Sequence, residues 1–304
     1  MRAYLTRRLL AGAVQLFLLV LVVFVVVRAT GDPTDLMLPA WASQEEQARL
    51  RQALGLDRPL PVQFAHFVAS AVTGDLGNSL RGRRPVTEML GDRLVNSGKL
   101  AVFAFVLAIA WAVPLGVLSA VSRGRMLDRV SRLVAIVGLA TPNFWLGIML
   151  VLVFSLHLRM LPTSGMGGVE HYILPGVTLS AFVGAGVMRL MRVSTLETLE
   201  REYIKLARVK GVAERFVVWK HAFRNALIPV VTYGGMQFGF LVGGSVVVES
   251  VFAWPGMGRL TYEAVLFRDF PVIQAVVLVL GAIIIVVNLM VDLLYGYLDP
   301  LIRQ

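Results

Sequence analysis

The chain has 304 residues, of which 57% are apolar and 16% charged, with a formal net charge of +10 and no cysteine. A soluble domain carries about a quarter charged residues, so a soluble globular protein is excluded, as are a disulfide-stapled ectodomain and cysteine-based metal or redox chemistry. The basic excess does not call for nucleic acid, because much of it lies in short connections between apolar blocks.

Six blocks reach the roughly 20 apolar residues needed to cross a bilayer as a helix: 9–27, 100–122, 133–158, 172–188, 226–248 and 271–291. Charges mark their ends, with Arg8 and Arg28 around the first, Lys99 and Arg123 around the second, and Arg224 and Glu249 around the fifth. The first block is longer than a signal-peptide core and lacks a small-x-small cleavage site, so it reads as an anchor. The connection that follows, 29–93, contains helical character over 44–54 and a turn over 74–80.

Basic residues set the expected orientation. Arg2, Arg7 and Arg8 precede the first block, the 123–132 connection has four arginines against Asp128, and 189–225 has nine Lys/Arg against four acids. These segments alternate with charge-poor connections, which places both termini and the 189–225 loop in the cytoplasm. The 29–93 connection is arginine-rich and falls on the other side, which the rule permits for long loops.

The spans carry no evident engine. There is no GxxxxGK[ST], no HExxH and no GxSxG. His157 and His171 flank a short loop, but two histidines without a third ligand make no metal site, and no cofactor is expected. The deep polar residues are amides, Gln15, Asn143, Gln237, Gln274 and Asn288, suited to hydrogen bonding between helices. Prolines 114, 142, 175 and 271 predict kinks or helix ends. In the fifth block Gly235, Gly239 and Gly243 recur every four residues, which lines one helix face for close packing.

The stretch REYIKLARVKGVAERFVVWKHAFRNALIP, 201–229, holds seven Lys/Arg against Glu202 and Glu214. Leu199, Tyr203 and Leu206 predict the apolar face of a short helix, and Gly211 a helix-ending corner. A second helix is expected from about Ala213, carrying Phe216, Trp219 and Phe223 and running into the fifth span. From spacing alone three readings remain open: a solvated basic loop on anionic lipid, an interfacial amphipathic helix, or a docking element for a cytoplasmic partner.

Glu202, Ala207 and Gly211, with Pro229 opening the next span, resemble the EAA loop of binding-protein-dependent ABC transporter permeases. The peptide and nickel branch has (D/E)Y-x-x-x-A-R-x-K-G followed by H-A-x-R-N-A-L-x-P, matched here by Glu202, Tyr203, Ala207, Arg208, Lys210, Gly211, His221, Ala222, Arg224, Asn225, Ala226, Leu227 and Pro229. GDLGNSL (74–80), TPNFWLG (141–147), LPTSG (161–165), VVVESVFAWPGMGRL (246–260), RDFPVIQ (268–274) and NLMVDLLYGYLDP (288–300) are similar to the same branch and extend the resemblance over nearly the whole chain.

The resemblance implies an all-α, six-helix membrane protein with the type I ABC importer permease fold in the inner membrane. It implies an N-terminal segment and first helix (1–28), an extracytoplasmic loop (29–93), a permease core (94–292) and a cytoplasmic tail (293–304). The implied partners are a homologous second permease, two cytoplasmic ATP-binding subunits that hydrolyse ATP on behalf of a non-catalytic permease, and an extracytoplasmic solute-binding protein. ATPase coupling falls to Glu202, Tyr203, Ala207 and Gly211; Arg215 and Trp219 join them from the reading of the helix face. The cargo implied is di- or oligopeptide, with nickel chelates and glutathione-like peptides as siblings. A self-powered secondary transporter is the alternative from another class.

Overall fold

The computed structural model describes residues 2–30, 34, 38, 42–53 and 55–298. The expected tail beyond Leu298 and parts of the 29–93 connection (31–33, 35–37, 39–41 and 54) lie outside them. The described residues form helices joined by turns and loops, with a single isolated bridge between Asn78 and Pro85 among them. Five single helices and one bent pair are long and apolar enough to cross a membrane.

The chain divides into two compact units, one of residues 1–96 and 256–285 and the other of 97–255 and 286–304. In the first unit, α1 (Arg2–Thr30) is followed by α2 (Gln44–Ala53) and α3 (Leu60–Thr73). Phe64 and Phe67 of α3 meet Phe24 of α1 at ring distances of 5.3 and 6.0 Å. Helix α4 (Val86–Val121) begins in this unit, which also takes α12 (Met257–Leu266) and the start of α13 (Phe270–Leu298). Its core joins Val86 and Leu90 of α4, Met257 and Leu260 of α12, and Val272 and Val276 of α13.

A polar knot holds the loop ahead of α4. The buried Asp269 carboxylate accepts the Ser79 hydroxyl and the backbone N–H groups of Leu80 (3.1 Å) and Arg81 (3.4 Å). The Arg81 guanidinium lies 3.4 Å from the Phe267 ring centroid, a close cation–π contact. Thus GDLGNSL and RDFPVIQ, far apart in sequence, build one structure.

In the second unit, α4 continues and turns at Ser122–Arg125 into α5 (Met126–Ala140) and α6 (Asn143–Leu150). The 133–158 block reads in sequence as a single span; here it is broken, with α5 and the segment 143–157 bent by 104°. Thr141 is extended at ψ 123° because a residue before proline is kept out of the α region. Pro142 then caps the next helix. A π-helical stretch, Val151–His157, completes the segment. Helix α7 (Glu170–Leu199) is the most buried of the apolar helices. After it come α8 (Glu202–Val209), α9 (Glu214–Phe216), a π turn (Val217–Ala222), α10 (Phe223–Gly244) and α11 (Val246–Val251).

Close packing on α7 uses absent side chains. A Cβ built on Gly116 would lie 2.7 Å from Met191 Cβ and 2.8 Å from the Met188 carbonyl oxygen; one on Gly138 would lie 2.9 Å from Ala185 Cβ. Small residues at such contacts let helix backbones approach where lipid offers no hydrophobic drive. Glu249, which the charge pattern sets at the border of the fifth span, is wholly buried and accepts hydrogen bonds from Ser97 (2.6 Å) and Ser245 (2.7 Å). Nearby, Tyr172 stacks edge-on to buried Trp254 at 4.7 Å. Replacing Gly116 with Val must displace the Met188 backbone, and should cost about 1–3 kcal/mol as overpacking does; a lowered melting temperature in detergent checks this.

Candidate functional site

The basic stretch folds as helix, corner, helix, and the corner is set by hydrogen bonding. Arg201 is extended at ψ 146° and starts α8 with no side-chain cap. At the other end Gly211 takes φ 79°. Its N–H donates to the Arg208 carbonyl (2.9 Å) while that of Val212 reaches back to Ala207 (3.2 Å), the paired bonds of a Schellman ending. Any residue with a Cβ is strained in this left-handed conformation, and glycine is not.

Two further ties stiffen the corner. Arg208 donates from Nε and Nη2 to Glu214 at 3.1 and 2.7 Å, bridging α8 to α9. Its Nη1 reaches the Leu199 carbonyl at 3.5 Å. The carboxylate beside it raises the Arg208 guanidinium above its ordinary pKa. The pair is partly exposed, where single ion pairs contribute about 0.2–1 kcal/mol, so its two-pronged geometry counts for more than its charge. Underneath, Ile204 is fully buried with Val217 and Ala222, packed by Leu199 and Val212. Asn225, early in α10, donates from Nδ2 to the Tyr203 hydroxyl at 2.9 Å, which fastens α8 to the membrane helix.

The two faces of α8 differ from the pattern read in sequence. Leu199 turns inward, whereas Tyr203, Leu206 and Val209 follow one another at i, i+3 on the outer face, 44%, 57% and 85% exposed. The inward anchor is Ile204, which the Leu199–Tyr203–Leu206 spacing passes over. Phe216 and Trp219 are also about half exposed, at 48% and 47%. The π turn offsets the expected helical register here, leaving Val217, Val218 and Ala222 buried. Interleaved with these apolar groups in the chain are Arg201, Lys205, Lys210, Arg215, Lys220 and Arg224, all of them exposed.

Each residue singled out in sequence has a definite place. Glu202 is in the first turn of α8, solvent-exposed and paired with Lys205 at 2.7 Å. Ala207 is half-buried and supplies the carbonyl that closes the corner. Arg215 holds its guanidinium 4.8 Å from the Phe216 ring centroid, and Trp219 packs on Phe223 at 5.6 Å. Ile204, Arg208, Glu214 and Asn225 complete the element; the Glu214 partnership crosses a corner and has no helical spacing to betray it.

The glycine face of α10 meets α13. A Cβ at Gly235 would lie 2.3 Å from Val291 Cγ2 and one at Gly239 3.3 Å from Val287 Cγ1. Among the described residues no group of three or more His, Cys, Asp or Glu can hold a metal ion. The stretch thus combines exposed aromatic and aliphatic groups with exposed cations on a corner-locked frame.

Residues 112–304 match the binding-protein-dependent transport system inner membrane component family, and residues 1–101 match the N-terminal membrane component of such systems. The chain is 45% identical over 301 residues to the glutathione transport system permease protein GsiC of Escherichia coli O6:H1, covering 99% of this chain and 98% of the relative. It is 44% identical, with the same coverage, to GsiC of Salmonella choleraesuis. An inward-facing structure of the MetNI methionine ABC transporter shares the fold, with a TM-score of 0.59 at 18% identity over 69% of this chain and 96% of that one.

Replacing Gly211 with Val should cost about 1–2 kcal/mol locally, the penalty for a left-handed non-glycine residue, and accelerate amide exchange across residues 202–209. The match over both parts of the chain, with relatives aligned end to end, makes this protein a multi-pass inner-membrane permease of the binding-protein-dependent ABC importer family.

Proposed function

We propose that this permease, with a homologous second one, forms the path by which an ATP-driven importer takes up short peptides of the glutathione kind. The single observation that carries the coupling half of this reading is the outer face of α8, where Tyr203, Leu206 and Val209 stand exposed, with Phe216 and Trp219 half exposed in the next segment. Aromatic groups and arginine are enriched in protein contacts, and exposed apolar groups rimmed by polar ones mark interaction sites. This favours the docking reading of the basic stretch over a solvated loop. A cytoplasmic ATP-binding subunit is the partner such a surface serves in this family.

Glu202, Tyr203, Ala207, Gly211, Arg215 and Trp219 are the proposed coupling residues, and Gly235, Gly239 and Gly243 the packing face that receives the movement. ATP is hydrolysed by two separate subunits, so this chain needs no catalytic residue or cofactor. A solute-binding protein delivers cargo from outside. The domain reading stays as the sequence suggests it: first helix to 28, outer loop 29–93, permease core 94–292 with coupling loop 189–225, then tail. The relatives named for glutathione transport support that cargo, with other di- and oligopeptides as the second reading. Nickel chelates belong to sibling systems with the same motifs.

Three measurements test this. Leu206→Glu or Gly211→Pro should abolish co-purification of the ATPase and reduce uptake while membrane insertion persists; unchanged uptake in both would refute the docking assignment. In a strain deleted for this chain, labelled glutathione uptake should be lost, and loss of dipeptide uptake alone would move the cargo to the second reading. The chain is cysteine-free, so a cysteine at Glu214 should resist impermeant external reagents and one at Asn78 should react; the reverse inverts the topology.

A further inference from the structure

The coupling reading sends motion directly from α8 into α10, but α8 is joined as firmly to the helix before it. The Arg201 N–H donates to the Thr198 carbonyl at 3.1 Å, Arg208 reaches Leu199, and Ile204 packs on Leu199. Two turns back along α7 stands Arg192. Its Nε and Nη2 donate to the two oxygens of Asp128 at 2.7 and 3.1 Å.

Asp128 is 1% exposed and lies in the first turn of α5. It also accepts the Ser119 hydroxyl of α4 at 2.8 Å and the Gly124 N–H of the intervening turn at 3.0 Å. Arg132 approaches it at 3.7 Å. One carboxylate therefore holds α4, the turn, α5 and α7 together. Beyond it, Ser131 and Thr195 are buried without hydrogen-bond partners, so among the described residues neither of them adds to the polar tie that Asp128 makes between α5 and α7. Arg123 of the same turn pairs with Glu200, just ahead of α8, at 3.3 Å.

The apolar contacts agree with the polar ones. Gly116 of α4 and Gly138 of α5 abut Met188, Met191 and Ala185 of α7 without room for a methyl group. Interlocked backbones of this kind move as a body, because packed contacts are bistable and do not deform smoothly. A buried, two-pronged carboxylate–guanidinium pair is also costly to separate, since each partner would be left charged and desolvated.

We propose that Asp128 is a positioning residue for transport: through Arg192 it makes α4, α5 and α7 one block that moves with the coupling helix, so that displacement enters the bent α5–α6 segment as well as α10. This rests on the coupling role proposed above for α8. Asp128 touches neither cargo nor nucleotide in this account; it acts by fixing which helices travel together.

The test uses the whole transporter, with binding protein and ATPase, in proteoliposomes. Asp128→Asn is expected to lower glutathione uptake per ATP hydrolysed by roughly tenfold, within the range that changes along a coupling network produce. Asp128→Glu restores most of the loss, and Asp128→Asn combined with Arg192→Gln is no worse than Asp128→Asn alone. Spin labels on cysteines at Arg129 of α5 and Glu197 of α7, both exposed, keep a constant separation through the ATP cycle in the parent and lose it in Asp128→Asn. A ratio of uptake to hydrolysis within about twofold of the parent, a loss that only tracks the amount of assembled complex, or label separation that varies in the parent would each overturn the proposal. Failure of the parent chain to retain an ATPase would instead remove the coupling reading beneath it, and co-purification reads that outcome separately.

Discussion

In a bilayer, burying one aliphatic side chain against another gains little, because lipid is as apolar as leucine. Helices must then be held by close approach and by polar groups that find partners. Both devices are concentrated on α7. Glycines 116 and 138 bring neighbouring backbones against it, and Arg192 binds the carboxylate that gathers the turn between α4 and α5. Helix α8 follows directly on the end of this helix, so the quality of its anchorage is inherited from α7.

Outside the spans, the basic stretch is also held mainly by polar groups, although much of it is exposed. Its apolar core is small: Ile204, Val217 and Ala222 with two supporting residues. What fixes its shape is directional bonding, from the Schellman ending at Gly211 to the Arg208 fork on Glu214 and the Asn225 amide on the Tyr203 hydroxyl. A surface built this way can keep Tyr203, Leu206 and Trp219 exposed without collapsing onto them.

Much of this was legible in the chain. Apolar blocks of the right length gave the membrane helices, and Gly211 announced a corner because only glycine takes its φ without strain. The four-residue spacing of Gly235 and Gly239 pointed to a packing face, and Val291 and Val287 of α13 lie against it. Hydropathy, however, averages over a window and cannot see a bend: the 133–158 block is apolar throughout, yet Pro142 breaks it. Nor does charge counting distinguish a solvated carboxylate from a buried one. Asp128 looked like a minor counterweight in a basic loop and Glu249 like a border marker, and both are almost wholly enclosed. Their partners, Arg192 for the one and Ser97 for the other, are too distant in sequence for periodicity to join them. On α8 the failure was local: the inward side belongs to Ile204, one position from the tyrosine the spacing favoured.

The Asp269 knot has a bearing on biosynthesis. Its donors, Ser79, Leu80 and Arg81, leave the ribosome nearly two hundred residues before the carboxylate that receives them, and the unit they belong to is completed only by residues 256–285. Domains generally fold in the order of synthesis, amino-terminal part first; this one is obliged to wait, its early segments inserted and unfinished until the last helix arrives. A chain truncated ahead of α12 therefore lacks both the acceptor for those donors and the helices that close the core around Val86 and Leu90.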